Sequence, residues 1–100
     1  MTYVILTSKP GQFRTEVVAG MRAIESYEYV AFGRQRARFV IAELAGPTKV
    51  RIVDEAPPPV VNLVPTKFLA KFASVESARR ELEDLAAKGG AQCSLLKVAC

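Results

Sequence analysis

The residues able to do chemistry in this chain are few, and histidine is not among them. Its absence removes both the usual general base near neutral pH and the commonest metal ligand. Cys93 and Cys100 stand seven apart near the C-terminus. Without histidines they do not make a zinc site, and they are too few for a four-thiolate iron–sulfur cluster. Gly46-Pro47-Thr48-Lys49 lacks the preceding glycine and following helix of a phosphate cradle, and Pro47 removes one of the amides. Asp54-Glu55 is the one adjacent carboxylate pair outside the expected helix. A general acid/base pair needs two environments that separate the pKa values, and neighbours at a strand end point apart into water. Thr7, Ser8 and Lys9 sit near a turn with no identifiable group to activate a nucleophile. The expectation is a protein that is not an enzyme and needs no cofactor and no metal.

Binding chemistry is better represented. Tyr27, Tyr29, Arg36 and Arg38 belong to two facing β-rich runs, with Arg34 near the tip between them. Aromatics and arginines on one sheet face could stack bases and neutralise phosphates, so this surface is a candidate for single-stranded RNA or DNA. The same residues also fit an ordinary cross-strand cation–π pair between Tyr29 and Arg38. A second candidate surface comprises Pro57, Pro58, Pro59, Val61 and Leu63. Ala56 to Pro59 reads as polyproline II, which loses little entropy on docking to a protein partner. The competing expectation is that Val60, Val61, Leu63 and Val64 fold back over an open sheet face and complete the core. A third possibility is a small-molecule pocket between helix and sheet.

These surfaces depend on the elements that carry them. Tyr3 to Thr7 is β-rich and ends at Pro10-Gly11, where a type II turn uses the positive φ that glycine accepts. Apolar residues on both faces suggest a central strand, while Gln12 to Met21 reads as a loop. Ser26 to Phe32 and Arg36 to Leu44 form a hairpin about a Gly33-Arg34 turn. That register pairs Val30 with Ala37, Glu28 with Phe39, Tyr29 with Arg38 and Tyr27 with Val40. It directs Val30, Phe32, Ala37, Phe39 and Ile41 to the core, and the tyrosines and arginines to the opposite face. Lys49 to Val53 alternates as a third meander strand. Thr66 to Phe72 reads as an edge strand and Gln92 to Val98 as a last strand. Between them, Ser74 caps a helix whose stripe is Val75, Ala78, Leu82, Leu85 and Ala86, with Gly89-Gly90 as its stop. Glu76 and Arg80 are spaced for an ion pair on that helix.

The architecture expected is therefore α+β. It comprises a mostly antiparallel sheet, a β-meander followed by a β-α-β unit, and one main helix over about 75–88 packed on one face. One hundred residues, half of them hydrophobic, suit a single globular domain spanning 1–100. A net charge of +4 permits acidic or nucleic-acid partners without requiring them. A Cys93–Cys100 bridge would constrain little chain, which favours reduced thiols in the cytoplasm. The apolar run Tyr3 to Leu6 is too short for a signal core or membrane span. The leading functional expectation is a basic, cytoplasmic interaction module that binds a protein partner or itself as a homodimer. The alternative is nucleic-acid binding, and no membrane association is expected.

Overall fold

The computed structural model describes residues 1–90 and 92–99. In chain order the elements are β1 (Thr2–Ser8), β2 (Phe13–Glu16), β3 (Met21–Ala31), β4 (Arg34–Leu44), β5 (Lys49–Asp54) and β6 (Val61–Pro65). A short 3-10 turn (Thr66–Phe68), the helix α1 (Val75–Lys88) and β7 (Cys93–Val98) complete the chain. Four strands form one antiparallel sheet in the order β1-β4-β3-β7, and three form a second in the order β2-β5-β6. The α+β class, the antiparallel sheets and the single main helix all agree with the sequence reading. Cys100 lies outside the described residues.

Alternation along the four-stranded sheet produces two apolar faces and hence three layers. On one face Tyr27, Ala37, Phe39 and Ile41 meet Ala78 and Leu82 of α1. On the other, Val4, Leu6, Ala42 and Leu44 meet Val50 of β5, with Ile52 and Val64 packed alongside. β1 is apolar on both sides for this reason, although it is an edge strand rather than the central one expected. Its outer edge is capped at one point, where Tyr3 and Phe72 exchange backbone hydrogen bonds of 2.9 and 2.8 Å.

Several connections differ from the sequence reading. The β3–β4 hairpin forms, but β5 leaves for the second sheet instead of completing a meander. The segment expected as a loop contains β2, which pairs with β5. Residues 66–72 are not an edge strand. A 3-10 turn buries Thr66, whose hydroxyl accepts the Thr48 amide at 3.1 Å, and only Phe72 forms a bridge. The β-α-β order is present as β6, α1 and β7, but those strands lie in different sheets and no parallel crossover results. Residues 56–58 form a bend, so the prolines are not the straight polyproline rod expected.

The helix begins as its sequence predicts. The Ser74 hydroxyl accepts the Ser77 amide at 3.1 Å, a cap worth about 1 kcal/mol. Ala78 and Leu82 are its buried residues. Arg79, which is not part of the apolar stripe, nonetheless turns toward the sheet. It donates from Nε and Nη2 to the two oxygens of Glu25, both at 2.7 Å. Glu25 is only 6% exposed. It also accepts the Tyr27 hydroxyl at 2.9 Å and lies 3.0 Å from Lys97 Nζ. Glu25 and Tyr27 are two apart in unbroken register with Ile41 and Phe39, so alternation puts both on the helix side, while the shift between Ala23 and Glu25 lets Met21 pack on the other face.

The arginine hydrogen bonds, opposed by desolvation, hold the Glu25 carboxyl down to about 2 from its ordinary 4.5. Burial and the adjacent carboxylate push the Tyr27 phenol up. A carboxyl stabilised as its anion contributes in full above its unfolded pKa, and that contribution fades as pH falls through the folded value. Urea titrations should show stability that is flat in this term above about pH 4.5 and declines toward pH 2. Glu25→Gln should lose on the order of 2 kcal/mol at neutral pH, allowing for the half-exposed Arg79, and should lack that acid slope. An unchanged slope in the variant would assign the acid sensitivity elsewhere.

Candidate functional site

Turn choice decides where the tyrosines and arginines go. The hairpin turns on Phe32-Gly33, with φ of 52° and 75°, rather than on Gly33-Arg34. Two successive positive φ values define the I′ geometry that matches strand twist. Ala31 then pairs with Arg34 and Val30 with Gln35, but Tyr29 pairs with Ala37 and Tyr27 with Phe39. Arg36 is the unpaired residue of a second bulge. Relative to the expected register the central pairs move by one residue, which exchanges the faces of β3. Tyr27 and Tyr29 therefore join Ala37 and Phe39 against the helix, while Val30 and Phe32 do not enter the core.

The five residues of the expected Tyr/Arg surface are thus separated. Tyr27 is 9% exposed, its hydroxyl engaged by Glu25, so its ring is not open to a base. Arg38 pairs in register with Glu28 and lies on the sheet face opposite the tyrosines. Arg34 is exposed at the foot of the turn. Only Tyr29 and Arg36 meet, in a groove beside α1 that Lys9, Gln12, Ala37 and Phe39 also line. The Tyr29 and Phe39 rings have centroids 6.3 Å apart and are tilted by 47°.

The proline-rich segment is arranged differently. Pro57, Pro58, Pro59, Val60, Val61 and Leu63 are all exposed, and Val64 is half-buried against the second core cluster. The aliphatics therefore do not fold back as a group to close the core. Val61 is 48% exposed and Leu63 57%, on a strand whose outer edge has no neighbour in its sheet. Its backbone can be followed residue by residue. Asp54 N donates to Val60 O and Thr66 N to Thr48 O, both at 2.9 Å. Antiparallel alternation then turns the N–H and C=O groups of Val61 and Leu63 outward. Pro59 and Pro65 occupy the next outward positions, where a missing N–H costs β5 nothing.

The remaining sequence candidates have structural work. Glu55 accepts the Gly11 amide at 3.1 Å and its own amide donates to Gln12 O, which pins the β1–β2 turn. Gly11 has the positive φ, 79°, expected of that turn. The Ser8 hydroxyl accepts the Thr15 amide at 2.9 Å, while Thr15 Oγ1 donates to Thr7 O. Among the described residues, no three His, Cys, Asp or Glu residues are grouped to hold a metal ion. Nor, among the described residues, is any helix long and apolar enough to cross a membrane. Compared with protein-family models, curated proteins and solved structures, the chain matches none of them.

Glu25 is the functional-looking group that the sequence reading missed. Its signal was present in the spacing: Arg79 lies four residues after Val75 and three before Leu82, within reach of the buried stripe. A second close approach occurs where α1 ends. Cys93 Sγ donates to Gly89 O at 3.2 Å, and a hydrogen bond to the Cys93 side chain pushes the Tyr29 phenol up. A β-carbon at Gly89 would stand 2.4 Å from Cys93 Sγ and 2.7 Å from Tyr29 Oη. Gly89→Ala should cost about 1–3 kcal/mol in thermal or urea unfolding. Cys93→Ala in the same chain should return part of that loss, because the nearest clashing atom is gone; strict additivity would refute the contact.

Proposed function

We propose that this protein is a cytoplasmic interaction module that self-associates through β6 to form a two-fold dimer. The observation that supports the reading is the outer edge of β6. It combines exposed aliphatic side chains with unpaired backbone groups at the same two residues, Val61 and Leu63.

A second copy of this chain suits that edge better than an arbitrary strand. An antiparallel two-fold centred on Asn62 pairs Val61 with Leu63 of the other copy, and Leu63 with its Val61. Four backbone hydrogen bonds form, and the exposed aliphatics become one continuous row. The same axis sets Pro59 opposite the other copy's Pro65. Neither proline has an N–H to donate, so the shared ladder ends there and stays confined to Val61 and Leu63. Charge supports the same occupant. Each copy carries a net +4, yet Ala56 to Thr66 contains no charged residue. Two copies can meet there without opposing like charges. The flanking prolines limit pairing to a short window, so the edge closes into a dimer rather than templating a fibre.

Nothing in this reading requires catalysis, and Cys93 as a free thiol suits a reducing compartment. Light scattering on the full chain should give twice the monomer mass at micromolar concentration. Val61→Asp with Leu63→Asp should shift it to monomer while circular dichroism stays unchanged. Leu63→Pro should do the same by removing one outward N–H without taking a bond from β5. A wild-type protein that remains monomeric up to millimolar concentration, or a dimer indifferent to both variants, would refute the arrangement.

A further inference from the structure

Beside α1, and remote from β6 in the fold, the helix-side face of the four-stranded sheet is left open at its β1–β4 end. The resulting groove has a specific origin in the chain. Ala37 pairs with Tyr29 on that face and carries only a methyl group, so with buried Phe39 it makes a shallow floor beside which the half-buried Tyr29 ring stands as a wall. The bulge in β4 leaves Arg36 without a cross-strand partner and turns it into the groove beside Tyr29. Bulges commonly re-aim a side chain in this way next to binding sites. The β1–β2 turn brings Lys9 and Gln12 to the same end, where Glu55 holds the turn by its Gly11 amide.

The electrostatics have a direction. Arg14, Arg22, Arg51, Arg79 and Lys97 each stand within ion-pair distance of a glutamate. Lys9 and Arg36 are among the cations with no such carboxylate within the described residues, and they are the two that line this groove. A neighbouring depression shares Thr7, Phe39 and Leu85 with this groove and is lined on its far side by Phe72, Leu82 and Glu81. One end is therefore cationic, the middle aromatic, and the far end anionic.

We propose that this groove binds a small ligand consisting of a planar aromatic ring bearing one anionic group. The ring stacks on the half-buried Tyr29, over a floor made by buried Ala37 and Phe39, and the anion is held by Arg36 and Lys9 with Gln12 as a further donor. Glu81 sets the polarity, because an anion at that end is repelled. A phosphate on a nucleoside and a carboxylate on a benzene ring present the same chemistry to these residues. The site is independent of β6, and either reading can fail without the other.

The full chain, labelled with nitrogen-15, should be titrated with adenosine monophosphate, 4-hydroxybenzoate, adenosine and inorganic phosphate, following amide resonances. Adenosine monophosphate, 4-hydroxybenzoate or both should produce saturable shifts confined to residues 7–12, 29 and 36–39. Adenosine and phosphate, each lacking half of the recognised chemistry, should bind at least about tenfold more weakly. A response to the nucleotide alone assigns a nucleotide site, and a response to the benzoate alone assigns an aromatic-acid site. Arg36→Glu and Lys9→Glu should each weaken binding about tenfold or more. Arg38→Glu makes the same charge change on the opposite face and should leave it unchanged. The proposal is overturned if neither anion gives saturable shifts there. It is also overturned if Arg38→Glu weakens binding as much as Arg36→Glu, since general charge attraction would then explain the result.

Discussion

A buried carboxylate ties the helix to the sheet. Glu25 on β3 accepts two hydrogen bonds from Arg79 on α1 and one from Tyr27, and pairs with Lys97 on β7. Removing a carboxylate from water is costly, and several donors are needed to offset that cost. Here they come from three elements, so the network is complete only when all three are correctly placed. A helix rotated by one residue would take both Arg79 bonds from Glu25 and leave the buried charge with Tyr27 and Lys97 alone. The apolar stripe of α1 would tolerate such a rotation far better, because aliphatic contacts are not directional. The network therefore selects one docking of the helix among several that hydrophobic burial alone would allow.

The same hairpin that supplies Glu25 contains two register irregularities, and each assigns chemistry to a face. The first, at Ala23/Glu25, lets Met21 join the core on one face while Glu25 stays with the tyrosines on the other. The second, at Arg36, turns a cation into the groove. Between them Tyr27 and Tyr29 alternate onto the helix side, one locked by Glu25 and the other left partly open. The mixture of core, ion-pair network and open groove on a single sheet face follows from these two one-residue shifts. An unbroken hairpin with the same sequence would have distributed those side chains quite differently.

Layering explains why apolar residues remain at the surface. The second sheet has three strands and only one apolar face to bury, so it closes the core with Val50, Ile52 and Val64. Its edge strand β6 continues the aliphatic pattern beyond what the core can absorb, leaving Val61 and Leu63 outside. β2, at the other edge, carries Arg14 and Glu16 and is tied to β1 through Ser8 and Thr15. The two edges are thus managed in different ways: one by charge and local hydrogen bonds, the other by prolines that confine pairing to a short window.

Local patterning was sufficient for some of this. Helical spacing, the Ser74 cap and the glycine stop place α1 at its observed limits, because those signals act within a few residues. The existence of the β3–β4 hairpin and the positive φ of Gly11 follow in the same way from nearby residue types. The sequence also marked Pro57 to Leu63 as unusual, without deciding whether its aliphatics were core or surface. Tertiary structure decided the questions that depend on partners distant in the chain. It sent β5 to a second sheet, made a strand of Val61 to Pro65, moved the turn to Phe32-Gly33 and gave Arg79 its carboxylate. Faces of a strand have a period of two, so a single bulge, invisible in residue type, reverses which side chains meet. Where the remaining binding groups converge, at the β6 edge and in the Arg36 groove, was set by register and layering.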